Sequence, residues 1–167
     1  MKKFIIAIFV LASSFTFAQQ SYFELLRQDL GTKKVALITE VMQFTDQESE
    51  VFWPLYREFD FENAKIGDET LKLIKDYAAH YVDLTDEKAV ELMNTSFDLK
   101  NKKLGLNRNY LKKFGKIIAP ARAVKFMQVM NQIDMVLNIQ INSQLPLIGE
   151  PIEPVTEPET ENKGRDL

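Results

Sequence analysis

The chain of 167 residues contains no cysteine, a single histidine, and only six residues each of glycine and proline. Without cysteine it has no disulfide, no zinc–thiolate site and no thiol catalysis, so its core or a partner chain must stabilise it. The sequence also lacks a Gly-x-Ser-x-Gly elbow, a phosphate-binding P-loop and a dinucleotide fingerprint. These absences argue against an enzyme and point to no cofactor.

The body of the chain carries little net charge. After residue 18 the chain has 19 basic and 24 acidic residues, and residues 150–167 account for six of the acidic and two of the basic ones. The remainder is nearly neutral, which gives no electrostatic bias toward nucleic acid or anionic lipid. Residues 149–167, rich in proline and glutamate, are predicted to form a disordered acidic tail.

The N-terminus has the three parts of a secretory signal peptide. Lys2 and Lys3 precede an apolar run over residues 4–11, and Thr16-Phe17-Ala18 places small residues at the cleavage positions. The apolar run is shorter than the roughly 20 residues that span a bilayer. We therefore expect cleavage after Ala18 and a periplasmic location without stable membrane insertion.

The spacing of apolar residues is helical throughout the body. In residues 45–81 an apolar stripe follows alternating steps of four and three residues, with a predicted kink at Pro54. A helix of that length would be roughly 50 Å long, too long for a compact globule of this size. The predicted fold is thus all-α, an elongated four-helix hairpin with long antiparallel helices. It occupies residues 19–148, with helices over approximately 21–42, 45–81, 85–115 and 119–144.

The fourth helix is the most apolar, and methionine and aromatic residues are concentrated in its first half. Thioether side chains are flexible and polarizable, which suits a surface that binds varied proteins. The same residues at helical spacing also fit an ordinary buried core, and the sequence leaves both interpretations open. The candidate client-binding or partner-binding residues are Phe126, Met127, Met130 and Met135, with Phe52, Trp53 and Tyr56 of the second helix.

His80 is the one candidate metal ligand among nitrogen donors, and it is a weak one. A site built on it would need carboxylates such as Asp76, Asp83 or Asp86, and the sequence has no second histidine at metal-ligand spacing. A histidine on the surface near a helix end is the better interpretation, and no metal site is predicted.

Two helices begin with the same short motif. Phe44, Thr45 and Asp46 precede the second helix, and Leu84, Thr85 and Asp86 precede the third. Each threonine is a predicted N-cap, and Glu48 completes a capping box with Thr45.

Behind a signal peptide, this repeated motif resembles the Spy/CpxP-like periplasmic stress proteins, named for their LTxxQ repeats. The resemblance covers most of residues 21–148, including FWPLYREF (52–59), KDYAAHYVDLTDEKA (75–89) and PARAVKFMQVMNQID (120–134). Glu48 and Lys88 stand where the family has glutamine, and Phe44 stands where it has leucine, so a role for the glutamine amide is not carried over.

The resemblance implies a helical hairpin that is often a dimeric cradle. The implied activities are ATP-independent holding of unfolded envelope proteins, or sensing of envelope stress together with a membrane-bound signalling protein. Two alternatives remain at this stage. One is a metal-responsive periplasmic sensor, and the other is a structural or assembly protein with one fixed partner.

Overall fold

The computed structural model describes residues 33–143 and 145–149, and within these ranges the chain is all-α. Helix α1 covers residues 33–42 in the described part. It is followed by α2 (Asp46–His80), a short 3-10 helix (Tyr81–Asp83), α3 (Asp86–Ile117) and α4 (Pro120–Asn142). The prediction of a helical hairpin is confirmed. The predicted signal peptide, residues 21–32 of the first helix, and residues 150–167 of the tail lie outside the described residues.

Helices α2 and α3 form the long hairpin, with 35 and 32 residues. A ladder of contacts shows that they are antiparallel. The rings of Phe52 and Phe114 are 5.1 Å apart at one end, and Lys88 is 2.9 Å from Asp76 at the other. Helix α2 continues through Pro54, so the proline does not end it.

Helix α4 packs along α3 and runs back from the same end. Proline occupies its first turn, where the missing N–H is not needed. The ring of Phe126 lies 4.7 Å from that of Phe114, and Asp134 is 2.8 Å from Lys103 further along. The described part of the chain thus contains three long helices side by side.

Helix α1 closes the end of the bundle where α2 and α4 begin. Ile38 and Met42 are buried there, and Lys34 pairs with Asp60 of α2 at 2.5 Å. The helix ends at Gln43, whose φ of 46° is left-handed and whose N–H donates to Thr39 O at 3.0 Å.

The hydrophobic core is concentrated at this closed end. Its main cluster joins α1, the first part of α2, the last part of α3 and the first half of α4. Toward the α2–α3 turn the described residues bury only three further large apolar side chains, Ile74, Leu92 and Leu99. A thin layer of buried apolar contacts makes that half the more easily opened part of the hairpin. None of the described helices is both long enough and apolar enough to cross a membrane.

Candidate functional site

Five of the seven candidate binding residues belong to the core. Their side chains are buried between α2, α3 and α4 and belong to the main hydrophobic cluster. These five side chains are therefore not exposed to a client in the folded chain. This face of α4 packs against α2 and α3 at the closed end of the bundle. The five are Phe52, Tyr56, Phe126, Met127 and Met130. Trp53 is half-buried at the edge of the cluster.

Phe126 lies at the centre of an aromatic cluster. Its ring is 5.0 Å from that of Phe52 and 4.7 Å from that of Phe114, with both pairs near edge-to-face geometry. Phe59 and Tyr56 lie 6.0 Å and 6.1 Å away. Aromatic pairs at such separations stabilise beyond their buried area, by about 0.5–1.5 kcal/mol each. The aromatic residues of the second and fourth helices thus act mainly in packing.

Tyr56 carries a buried polar group into this cluster. Its side chain is almost fully enclosed, and its hydroxyl has no hydrogen-bond partner within the described residues. Burial raises the pKa of Tyr56 above its ordinary value, and the nearby carboxylate of Asp60 raises it further. The hydroxyl therefore stays protonated in the folded chain at pH values where an exposed tyrosine ionises.

This shift predicts a specific loss of stability in alkali. Above the ordinary tyrosine pKa near 10, the unfolded chain releases the Tyr56 proton while the folded chain keeps it, so stability falls as pH rises, by about 1.4 kcal/mol per pH unit. Tyr56→Phe should remove this component. Denaturant unfolding at pH 9 and pH 11 measures it in both chains. An identical alkaline loss in the variant would mean that Tyr56 ionises in the folded state.

Met135 differs from the other candidate residues because it points outward. It is 57% exposed, and Val136 and Ile139 beside it are 54% and 63% exposed. We call these three side chains the α4 patch. Met135 is one of the predicted binding residues, whereas Val136 and Ile139 are not. In the sequence these two residues extend the apolar surface of α4 beyond one helix face, which is a signal of an exposed apolar face.

The stretch of chain that carries the α4 patch has almost no charge. Between Lys125 and Glu150 the only ionisable side chain is Asp134, and its carboxylate pairs with Lys103 at 2.8 Å. The other polar residues along this stretch are amides and one serine. This stretch therefore offers apolar contact with uncharged hydrogen-bonding groups beside it.

Both predicted helix caps are present. Thr45 Oγ1 accepts a hydrogen bond from Glu48 N–H at 3.2 Å, and Thr45 N–H donates to the Glu48 carboxylate at 3.0 Å. Thr85 Oγ1 accepts from Lys88 N–H at 3.2 Å. Before the first cap, Phe44 packs on Phe52 with their ring centroids 4.2 Å apart. Leu84, which precedes the second cap, is half-buried.

The position of Lys88 ties the second motif to α2. Its ammonium group lies 2.9 Å from both Asp76 and Glu91. The hydrogen bond from Lys88 lowers the pKa of Asp76, and the same bond raises the pKa of Lys88. Lys88 therefore acts as a cation between α2 and α3.

Three carboxylates were candidates for a metal site with His80, and among the described contacts only that of Asp76 lies beside the imidazole ring. Its Nδ1 is 3.0 Å from Asp76, whose other carboxylate oxygen is held by Lys88. A lysine ammonium group on that carboxylate would compete with a metal ion for it. No group of three or more histidine, aspartate or glutamate side chains suited to a metal occurs among the residues that the structure describes.

No protein-family model, curated protein or solved structure matches this chain.

Proposed function

We propose that this protein is a periplasmic, non-enzymatic protein-binding module of the envelope stress response. It acts as an ATP-independent chaperone or as a sensor, and it works as a homodimer of the Spy/CpxP-like type. The observation that carries the proposal is the α4 patch, in which Met135, Val136 and Ile139 are each more than half exposed. Clustered exposed apolar side chains are characteristic of surfaces that bind other proteins.

The chemistry of the α4 patch favours unfolded segments as its ligands. Such segments share exposed apolar side chains but differ in charge, and the one carboxylate in the stretch that carries the patch, Asp134, is paired with Lys103. Methionine adapts its shape to varied partners. The patch thus has the properties of a surface that holds many proteins through apolar contact.

The sequence supports the envelope location and the family. The N-terminal segment has the pattern of a cleaved signal peptide. The threonines that cap α2 and α3 belong to the repeated motif by which the sequence resembles the family. Lys88 in place of glutamine forms ion pairs with Asp76 and Glu91, so the motif performs a structural task in this chain.

The proposal predicts that two charges on the α4 patch abolish most client binding. Met135 and Ile139 each contribute about 1.5 kcal/mol or more when a client covers them. Met135→Glu/Ile139→Glu should therefore weaken client binding by roughly a hundredfold. The measurement is suppression of light scattering from an unfolding model protein by residues 19–167, without ATP, with and without a metal chelator.

The matched control carries the same added charge beside the patch. Asn131 and Asn138 are exposed and lie one turn before and after Met135, so Asn131→Glu/Asn138→Glu adds two carboxylates while leaving the apolar side chains. The control should suppress aggregation as the unchanged chain does. Equal activity in both double variants would exclude the α4 patch as the client surface. No suppression by any of the proteins would favour a dedicated partner, and suppression lost with chelator would favour a metal-dependent sensor.

A further inference from the structure

A second exposed apolar surface follows the length of α3. Val90, Met93, Phe97 and Leu104 are 61%, 52%, 51% and 48% exposed. They are spaced by three, four and seven residues and so lie along one side of the helix. We call them the α3 stripe. The residues that α3 buries against its neighbours are Leu92, Leu99, Tyr110 and Phe114, so the α3 stripe is a separate face.

The charges of α3 are segregated along its length. Residues 86–98 contain four acidic residues and one basic residue, whereas residues 99–117 contain seven basic residues and no acidic one. Some of these charges form ion pairs within the chain, namely Lys88, Glu91, Lys102, Lys103 and Lys113. The others keep the same segregation, with three acidic residues in the first half and four basic residues in the second. Two copies of α3 packed in parallel would place the basic halves together, and like charges repel. Packed antiparallel, each acidic half meets a basic half.

We infer that the α3 stripe is the contact between two copies of this chain, with the two α3 helices antiparallel. This inference deepens the homodimer that the proposed function includes, and it assigns that dimer an interface and an orientation. A partner helix of another protein is the competing occupant. The charge complementarity of α3 with itself is the reason for choosing a second copy.

One register satisfies both the apolar and the charged residues. With Phe97 at the two-fold axis, Phe97 packs on its own counterpart and Val90 of each copy lies opposite Leu104 of the other. The same register places Asp86 opposite Arg108. Neither Asp86 nor Arg108 forms an ion pair within the described ranges, so both are available to a second copy.

The size of the α3 stripe sets the expected strength of the dimer. The stretch from Val90 to Leu104 is about 21 Å long at 1.5 Å per residue. A two-helix contact of that length buries less than the roughly 800 Å² per partner of a standard interface. We therefore expect a reversible dimer with a dissociation constant in the micromolar range, weakened by salt.

Sedimentation velocity of residues 19–167 over a range of concentrations tests the interface. Phe97→Asp should raise the dissociation constant by roughly tenfold or more, because an aromatic side chain at the centre of an interface dominates its binding energy. Asn109→Asp is the control, since it adds the same charge to α3 at an exposed position that lies about 120° round the helix from Phe97 and so off the α3 stripe. As monomers, both variants should have the same melting temperature as the unchanged chain. A chain that stays monomeric at several hundred micromolar would overturn the inference.

Cysteine cross-linking tests the orientation, and the absence of native cysteine makes it specific. A disulfide needs Cα atoms about 4.4–6.8 Å apart. Phe97→Cys should therefore form a disulfide-linked dimer across the axis, whereas Val90→Cys should not, because its counterpart lies about 21 Å away along the helix. The double variant Val90→Cys/Leu104→Cys should cross-link again. Cross-linking by Val90→Cys alone would mean a parallel or different register.

The proposed dimer interface and the proposed client surface can be refuted independently of each other. Phe97→Asp leaves the α4 patch intact, and Met135→Glu/Ile139→Glu leaves the α3 stripe intact. A dimer that forms as described but suppresses no aggregation would overturn the proposed function alone. A monomer that suppresses aggregation would overturn the α3 interface alone.

Discussion

Replacing Phe126 with alanine is expected to lower the free energy of unfolding by about 3–5 kcal/mol. The Phe126 side chain is fully buried, and four aromatic rings surround it. Alanine at this site removes the apolar contact and leaves a cavity that rigid rings fill poorly. Such a loss is a large share of the roughly 5–15 kcal/mol that holds a typical domain folded. Urea unfolding followed by circular dichroism measures it.

Phe61→Ala provides the matched control for this loss. Phe61 is 64% exposed on α2, where it contacts the ammonium group of Lys65 at 4.4 Å. Its removal should cost less than about 1 kcal/mol, since little area is uncovered and one exposed cation–π contact is lost. If Phe126→Ala were as mild as Phe61→Ala, the aromatic cluster would not be packed as described. Phe126 would then return as a candidate for client contact.

Local signals in the sequence predict the helices of this chain well. Thr45 and Glu48 place the start of α2 correctly, because the capping box specifies which N–H groups are satisfied by side chains. Pro120 marks the first residue of α4 for the same local reason. The predicted ends are less accurate: α3 continues two residues beyond Gly115, to Ile117, since a glycine can remain within a helix when the neighbouring turns are packed.

The sequence does not predict which side of α4 is buried. Met130 is 1% exposed and Met135 is 57% exposed, although both are methionines of one apolar helix. The apolar residues of α4 extend beyond one face, so its polar residues do not mark a single exposed side. Its orientation depends on neighbours distant in sequence, including the carbonyl groups at the end of α1 that Lys125 reaches at Val41. For that reason the candidate site contained more core residues than surface residues.

Arg122 joins α1, α2 and α4, and its loss should have the second-largest effect on stability. Its Nη2 donates to the carbonyl oxygen of Met42 at 2.8 Å, and its Nε is 2.7 Å from the carboxylate of Glu48. Its guanidinium group also lies 5.4 Å from the ring centroid of Phe44. The last carbonyl groups of a helix have no partner within the helix, so Arg122 satisfies the end of α1 from α4.

Arg122→Ala is expected to lower the free energy of unfolding by about 2–3 kcal/mol, because a charge-assisted hydrogen bond, an ion pair and a cation–π contact are lost together. Arg122→Lys should recover part of this loss, since an ammonium group keeps the charge but not the fork of donors. Thermal and urea unfolding of the three proteins measure the difference. A loss below about 0.5 kcal/mol in Arg122→Ala would resemble an ordinary surface substitution and would contradict a structural role.

Glu48→Gln tests whether the Glu48 carboxylate stabilises the chain through its ion pair with Arg122. The amide oxygen of glutamine can still accept the N–H of Thr45, so the capping box survives, while the charge that pairs with Arg122 is removed. The substitution should cost about 1 kcal/mol in the unchanged chain and almost nothing in Arg122→Ala, because the two residues interact. The two costs together form a double-mutant cycle. Equal costs in both backgrounds would mean that Glu48 acts through the cap alone and does not help to hold α4 against α1 and α2.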